Sequence, residues 1–140
     1  MSSAVIYTDL DGTLLDHHTY AFDEALGTIK ALKDRGIPII PCTSKTRAET
    51  VSLMQAIGID GPMIIENGAA IWVPRDWGLE CPKGADSQAD GWCHSFGPSR
   101  GMIRRQLAIL NIEWGNRYQS LCDLSDKQVA AVTGLDLEAA

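Results

Sequence analysis

A short β-rich run, Ala4-Val5-Ile6-Tyr7-Thr8, passes without a break into Asp9-Leu10-Asp11-Gly12-Thr13-Leu14-Leu15, and this junction limits the fold more than any other stretch of the sequence. The run reads as a buried strand, and the two carboxylates that follow it must emerge at its carboxyl end. In open α/β sheets that end is where ligands bind. Two further strand–helix units come next. Apolar Ala25, Leu26, Ile29 and Leu32 follow the helical period between Phe22 and Arg35, with Gly36 placed for a left-handed cap. Ile37-Pro38-Ile39-Ile40-Pro41-Cys42 is the second strand, with two prolines awkward for a central position. Thr46-Arg47-Ala48-Glu49 has the form of a capping box opening a helix through Val51, Met54 and Ile57 to Gly58, and Pro62-Met63-Ile64-Ile65 is the third strand. Three such units in series imply parallel strands and an α/β sheet.

The texture changes after Glu66. Asn67-Gly68, between Met63-Ile64-Ile65 and Ala69-Ala70-Ile71-Trp72-Val73, predicts a hairpin with a two-residue turn. Residues 74–98 are rich in Pro, Gly, Asp and Trp and read as loop or irregular strand. Ser99 caps a helix through Ile103, Leu107 and Leu110, and Ser125-Asp126-Lys127-Gln128 is a second capping box, for a short helix ending near Gly134. The expected organisation is an α/β part over residues 1–67 and a mixed α+β insertion over residues 68–140.

Composition narrows the function. With 45% hydrophobic and 21% charged residues the chain is globular. Eighteen Asp+Glu against twelve Lys+Arg, net −6, disfavours a general nucleic-acid or anionic-membrane binder. No apolar run approaches the roughly 18 residues that span a bilayer. The segment Met1 to Tyr7 has no basic n-region and reads as no leader. Cys42, Cys81, Cys93 and Cys122 show no C-x-x-C pair, and His17, His18 and His94 do not fall at zinc spacing. Reduced thiols in a cytoplasm are expected, with Cys42 a core residue rather than a nucleophile.

The chemistry sits at Asp9 and Asp11. Two carboxylates two positions apart stay ionised together only beside a cation or strong donors. Mg2+ suits hard oxygen ligands and screens an incoming phosphate. Gly12 and Thr13 make a turn whose backbone N–H groups can face an anion. The pattern reads as a carboxylate nucleophile, Asp9, attacking a phosphoryl group, with Asp11 as proton donor and acceptor. Lys45 and Arg47, just past the second strand, either meet a substrate anion, Arg as a planar fork, or form a solvated first helical turn. Asn67 either leans over the substrate or is turn chemistry alone. Arg100, with Arg104 and Arg105 at a helix start, either binds an anion or is an ordinary helix charge.

The D-L-D-G-T-L-L string resembles the first motif of the haloacid dehalogenase-like phosphohydrolases. That resemblance implies a partial Rossmann-like core of three parallel strands followed by part of an α+β cap. It implies a hydroxyl after the second strand that holds the transferring phosphoryl, here Thr43 with Ser44 as the alternative. It also implies that Asp9 and the backbone carbonyl of Asp11 hold the metal. Thr43-Ser44-Lys45-Thr46-Arg47-Ala48-Glu49, Ile65-Glu66-Asn67-Gly68-Ala69, Phe96-Gly97-Pro98-Ser99-Arg100 and the stretch from Asp123 to Leu135 are similar to the mannosyl-3-phosphoglycerate phosphatase branch. The implied activity is Mg2+-dependent removal of phosphate from a glycosyl-3-phosphoglycerate, a small phosphorylated sugar-glycerate, with another sugar phosphate as the alternative.

The family pattern also calls for a later Lys and a G-D-x-x-x-D motif, and neither is present. After Glu66 the lysines are Lys83 and Lys127, and Asp123-Leu124-Ser125-Asp126 reads as a helix cap. The chain is therefore expected to be the N-terminal half of a larger enzyme, with the edge of its first strand open to self-association. A catalytically incompetent fragment is the rival reading. A phospho-acceptor receiver domain would need an acceptor Asp after the third strand, where Glu66-Asn67 stands.

Overall fold

The structure is a computed structural model and describes residues 4–137. The no-leader expectation rests partly on Met1, Ser2 and Ser3, which lie outside the described residues, as do Glu138, Ala139 and Ala140. The chain divides into two compact units, residues up to Gly97 and residues from Pro98 onward.

The first unit is the α/β part. Strand β1 (Ile6–Thr8) pairs in parallel with β2 (Ile39–Pro41), Thr8 opposite Pro41, and helix α1 (Asp23–Asp34) connects them. Gly36 takes φ +65° just past α1, as its position at the helix end requires. Helix α2 (Arg47–Ile57) carries the capping box between Thr46 and Glu49 and stops at Gly58 with φ +77°. Strand β3 (Met63–Ile65) joins β2 through a parallel bridge between Cys42 and Ile64. Of the two prolines, Pro38 falls before β2 and Pro41, its last residue, is accommodated by strand alternation. Cys42 N–H donates to Thr8 C=O and Thr43 N–H to Ile64 C=O, so position 41 faces β3 before that ladder begins. Leu10, Ile29, Ile39, Met54, Ile57 and Met63 form the core beneath these strands.

Three expectations change here. Strand β1 is not buried: Ile6 is 37% and Tyr7 62% exposed, because no described strand covers its outer edge. The hairpin after β3 exists, but Ile65 pairs with Ala70 of β4 (Ala70–Pro74), so its loop has four residues, 66–69, rather than two. Glu66, Asn67 and Gly68 all take positive φ, which a longer loop can turn through. Residues 74–98 also hold regular structure: β5 (Asp86–Ser87) and β6 (Gly91–Ser95) complete a four-stranded sheet in the order β3-β4-β6-β5. Strand β6 lacks a clean alternation, and its first residue is the Gly that lets Trp72 of β4 lie against it. The break in sequence texture at 67–69 and the break in compactness at 97/98 thus differ, because β3 pairs with the hairpin strand that follows it.

The second unit holds α3 (Arg100–Glu113) and α4 (Asp126–Thr133). Ser99 Oγ caps α3 by accepting the Met102 N–H, and Gln128 Oε1 accepts from Ser125 N–H and Oγ at the start of α4. No residue of either helix is buried. Among the described residues no helix is long and apolar enough to cross a membrane, and all four cysteines are unpaired thiols.

Candidate functional site

The β1–β2 ladder sets the site. With Thr8 opposite Pro41, the next residues on the two strands are Asp9 and Cys42, so Asp9 and Thr43 emerge together at the carboxyl end of the sheet. Asp9 is exposed, and its Oδ1 accepts the Leu10 N–H at 2.8 Å, which orients the carboxylate. Burial pushes the Cys42 thiol up and the Asp9 charge adds to it, so Cys42 is a poor nucleophile and lies within the electrostatic reach of Asp9.

Leu10, 1% exposed, anchors the following loop. Its carbonyl accepts from the N–H groups of Thr13, Leu14 and Leu15 at 3.2, 3.0 and 2.9 Å, and Gly12 supplies φ +73° for that turn. The Thr13 N–H is thereby spent on the turn instead of facing an anion, contrary to expectation. Asp11, partly buried, turns toward the second-strand loop, where Lys45 Nζ lies 2.8 Å from Oδ1 and 3.0 Å from Oδ2. Hydrogen bonding to Asp11 raises the Lys45 pKa against a smaller opposing effect of burial. The Lys45 ammonium also sits 5.6 Å from the Tyr20 ring centroid.

The loop carrying Lys45 is held from both sides. Thr43 is 4% exposed, and its Oγ1 accepts the Lys45 N–H at 3.2 Å. Its carbonyl accepts the Asn67 N–H, and the Lys45 carbonyl accepts the Glu66 N–H, each at 3.0 Å. Those two donors belong to the left-handed stretch, Glu66 at φ +51° and Asn67 at φ +57°. Asn tolerates this region, whereas Glu is held there at a cost on the order of 1 kcal/mol.

The structure therefore brings Asp9, Asp11, Gly12, Thr43, Lys45 and the Asn67 backbone to one sheet end. Ser44 is exposed beside them. Arg47 points its guanidinium elsewhere, to Gln88, Asp90 and the face of Trp72. Arg100 lies in the second unit, donating to Cys122 Sγ at 2.7 Å. Tyr20 and Glu66 were not singled out by sequence. The Asn67-Gly68 turn signal stands next to Glu66, while nothing local marks Tyr20.

Among the described residues no group of three or more His, Cys, Asp or Glu side chains could hold a metal ion. The Asp9 carboxylate and the Asp11 carbonyl are all-oxygen donors, which fits a cation that keeps several waters and takes only one or two carboxylates from the protein. Asp11 Oδ1 is also buried without a hydrogen-bond partner, with only its ion pair to Lys45. A cavity of about 880 Å³ beside the Gly12–Leu15 loop is lined by apolar Ile6, Phe22 and Ile29 and by polar Thr8, Asp16 and Glu24; it shares Gly12 with the site, while Asp9, Asp11, Thr43 and Lys45 are not in its lining.

Comparison with known proteins adds to this geometry. The family profile described as haloacid dehalogenase-like hydrolase matches residues 6–80. A glucosyl-3-phosphoglycerate/mannosyl-3-phosphoglycerate phosphatase of Methanococcoides burtonii is 39% identical over 137 residues, 97% of this chain and 50% of that protein. A protein of the same name from Persephonella marina is 45% identical over 73 residues, 52% of this chain and 27% of that one. The chain thus spans half the length of the first and about a quarter of the second. Among solved structures, a phosphatase of the haloalkanoate enzyme superfamily from Bacteroides thetaiotaomicron superposes with a TM-score of 0.58 at 21% identity, over 97% of this chain and 50% of that one. A haloacid dehalogenase-like hydrolase from B. subtilis does so at 0.53 and 24% identity, over 78% and 33%. These likenesses establish the fold.

Proposed function

The chain belongs to the haloacid dehalogenase-like hydrolases, and on that premise we propose that it is the nucleophile-bearing part of a phosphatase acting on glycosyl-3-phosphoglycerates. The observation that carries this reading is the exposed Asp9 carboxylate at the end of β1, with Asp11 two residues on and buried Thr43 at the end of the neighbouring strand. Relatives named for both glucosyl and mannosyl substrates support the glycerate phosphate as the shared element and leave the sugar open to either.

In this mechanism an Asp9 carboxylate oxygen attacks phosphorus, and the bond from phosphorus to the leaving oxygen breaks. Asp11 donates its proton to the leaving alkoxide. It then takes a proton from water, whose oxygen attacks phosphorus and releases Asp9 as the free carboxylate along with phosphate. Thr43 lies where its hydroxyl serves the phosphoryl oxygens at the strand end. Lys45 supplies positive charge beside Asp11 and is suited to the substrate's anionic groups. The Asp9 carboxylate and the Asp11 carbonyl would hold Mg2+, which when bound would supply charge neutralisation of the phosphoryl group.

Residues 1–67 form the core part and 68–140 the cap part in this reading, with Asn67 serving the substrate from the loop after β3. The unpaired thiols are in keeping with a cytoplasmic protein. The exposed edge of β1 supports pairing with further chain or a second copy through that edge. The test is magnesium-dependent phosphate release from glucosyl- and mannosyl-3-phosphoglycerate by the native protein and by Asp9→Asn. Turnover lost in the variant supports the mechanism, and turnover that survives it overturns the assignment of Asp9.

A further inference from the structure

The first turn of α2 carries an arginine whose surroundings differ from those of a substrate ligand. The Arg47 guanidinium carbon lies 3.4 Å from the ring centroid of Trp72, which is itself 3% exposed. Nη1 donates to Gln88 Oε1 at 2.7 Å and Nη2 to Asp90 Oδ2 at 2.5 Å. The turn that provides these acceptors is braced from beneath. Arg75 donates Nε to Ala89 C=O at 2.8 Å and Nη2 to Gln88 C=O at 2.6 Å, while its N–H donates to Asp90 C=O. Gly91 closes the stack, because a Cβ there would lie 2.2 Å from the Val73 carbonyl oxygen and 2.7 Å from the Trp72 ring.

We propose that Arg47 is a positioning residue that fastens the β5–β6 turn to the first turn of α2 and so fixes the Thr43–Thr46 loop, instead of reading the substrate. A guanidinium stacked on an aromatic face and bonded in plane at two points is fixed in orientation, with one face covered and two of its five donors engaged. Arg47 is one residue past the Thr46 cap and two past Lys45, whose Nζ holds Asp11. Any loosening of Arg47 is passed along that short backbone to Lys45. The inference deepens the phosphatase reading and rests on it for its catalytic consequence, while the positioning itself rests on geometry alone.

The test uses the full protein in native form and as Arg47→Ala and Asp90→Asn, with two readouts. Amide hydrogen exchange at Lys45 and Thr46 is expected to speed up on the order of tenfold in both variants, as for loss of a charge-assisted bond. Exchange in β2 and α1 stays unchanged, which shows that the fold is kept. In phosphate release, both variants are expected to lose kcat on the order of tenfold with little change in KM, the cost of a misplaced catalytic group. Unchanged exchange at Lys45 and Thr46 overturns the proposal. So does a raised KM confined to Arg47→Ala with Asp90→Asn like the native protein, which is the pattern of a direct substrate contact. If the native protein releases no phosphate while exchange changes as expected, the phosphatase reading fails and the positioning role stands.

Discussion

Lys45 reaches from the loop after β2 to the loop after β1 and sets its ammonium 2.8 and 3.0 Å from the two carboxylate oxygens of Asp11. The pair lies 34 residues apart in sequence, and the parallel register of Ile6–Thr8 on Ile39–Pro41 brings it together. It is an ion pair that ties the loop after β1 to the loop after β2.

Lys45 binds its proton more tightly in the folded chain than in the unfolded one, chiefly through Asp11. The stability this contributes is complete below the ordinary lysine value of 10.5 and declines as pH rises through the raised value. Lys45→Met is expected to cost about 0.5–1 kcal/mol at neutral pH, with side chains only partly screened from water. Thermal melts of both proteins from neutral to strongly alkaline pH should converge at the alkaline end. A gap that stays constant would contradict the pair.

The cap of α2 has the opposite pH sign. Glu49 is held below its ordinary 4.5 by hydrogen bonds from the Thr46 side chain and backbone. Its contribution is present above 4.5 and disappears as pH falls through the lowered value. Thr46→Ala should cost about 1 kcal/mol, and Glu49→Gln should flatten the acid limb of the stability profile. Melts of Glu49→Gln and native protein that coincide above pH 4.5 as well as in acid would rule this out.

Gly91→Ala should be among the most damaging single-methyl changes, since its nearest obstacle is the Val73 carbonyl and not a movable side chain. A loss of about 2–3 kcal/mol is expected, from overpacking a rigid contact. Denaturant unfolding measures it, and a loss under about 0.5 kcal/mol would show that the turn relaxes freely. Glu66→Gly should act in the other direction, raising stability by about 0.5–1 kcal/mol through relief of the left-handed backbone. A destabilised Glu66→Gly would mean that its side chain matters more than its φ.

Much of this was legible in the sequence because the signals were local. The capping boxes at Thr46 and Ser125, the glycine stops at positions 36, 58 and 134, and the hairpin after Ile65 all depend on neighbours within four residues. Asp9 and Asp11 could be named because the paired carboxylates directly follow a strand, while Thr43, with Ser44 as the alternative, followed from the family resemblance. What escaped depends on partners remote in sequence. Strand β1 has the composition of a buried strand, yet its exposure depends on what pairs with its outer edge. Strand β6 is specified by Trp72 and Gly91 meeting across the sheet rather than by alternation. Neither expectation for Arg47, a substrate fork or a solvated first turn, includes its acceptors Gln88 and Asp90, because they lie 41 and 43 residues away.

The most direct test of the central claim, that Asp9 accepts the phosphoryl group, is fluorine NMR of the protein with beryllofluoride and Mg2+, a mimic of the aspartyl-phosphate that needs no turnover. The account predicts a bound signal in the native protein, dependent on magnesium and absent from Asp9→Asn. No bound signal in the folded native protein, or one that persists in Asp9→Asn, would contradict it.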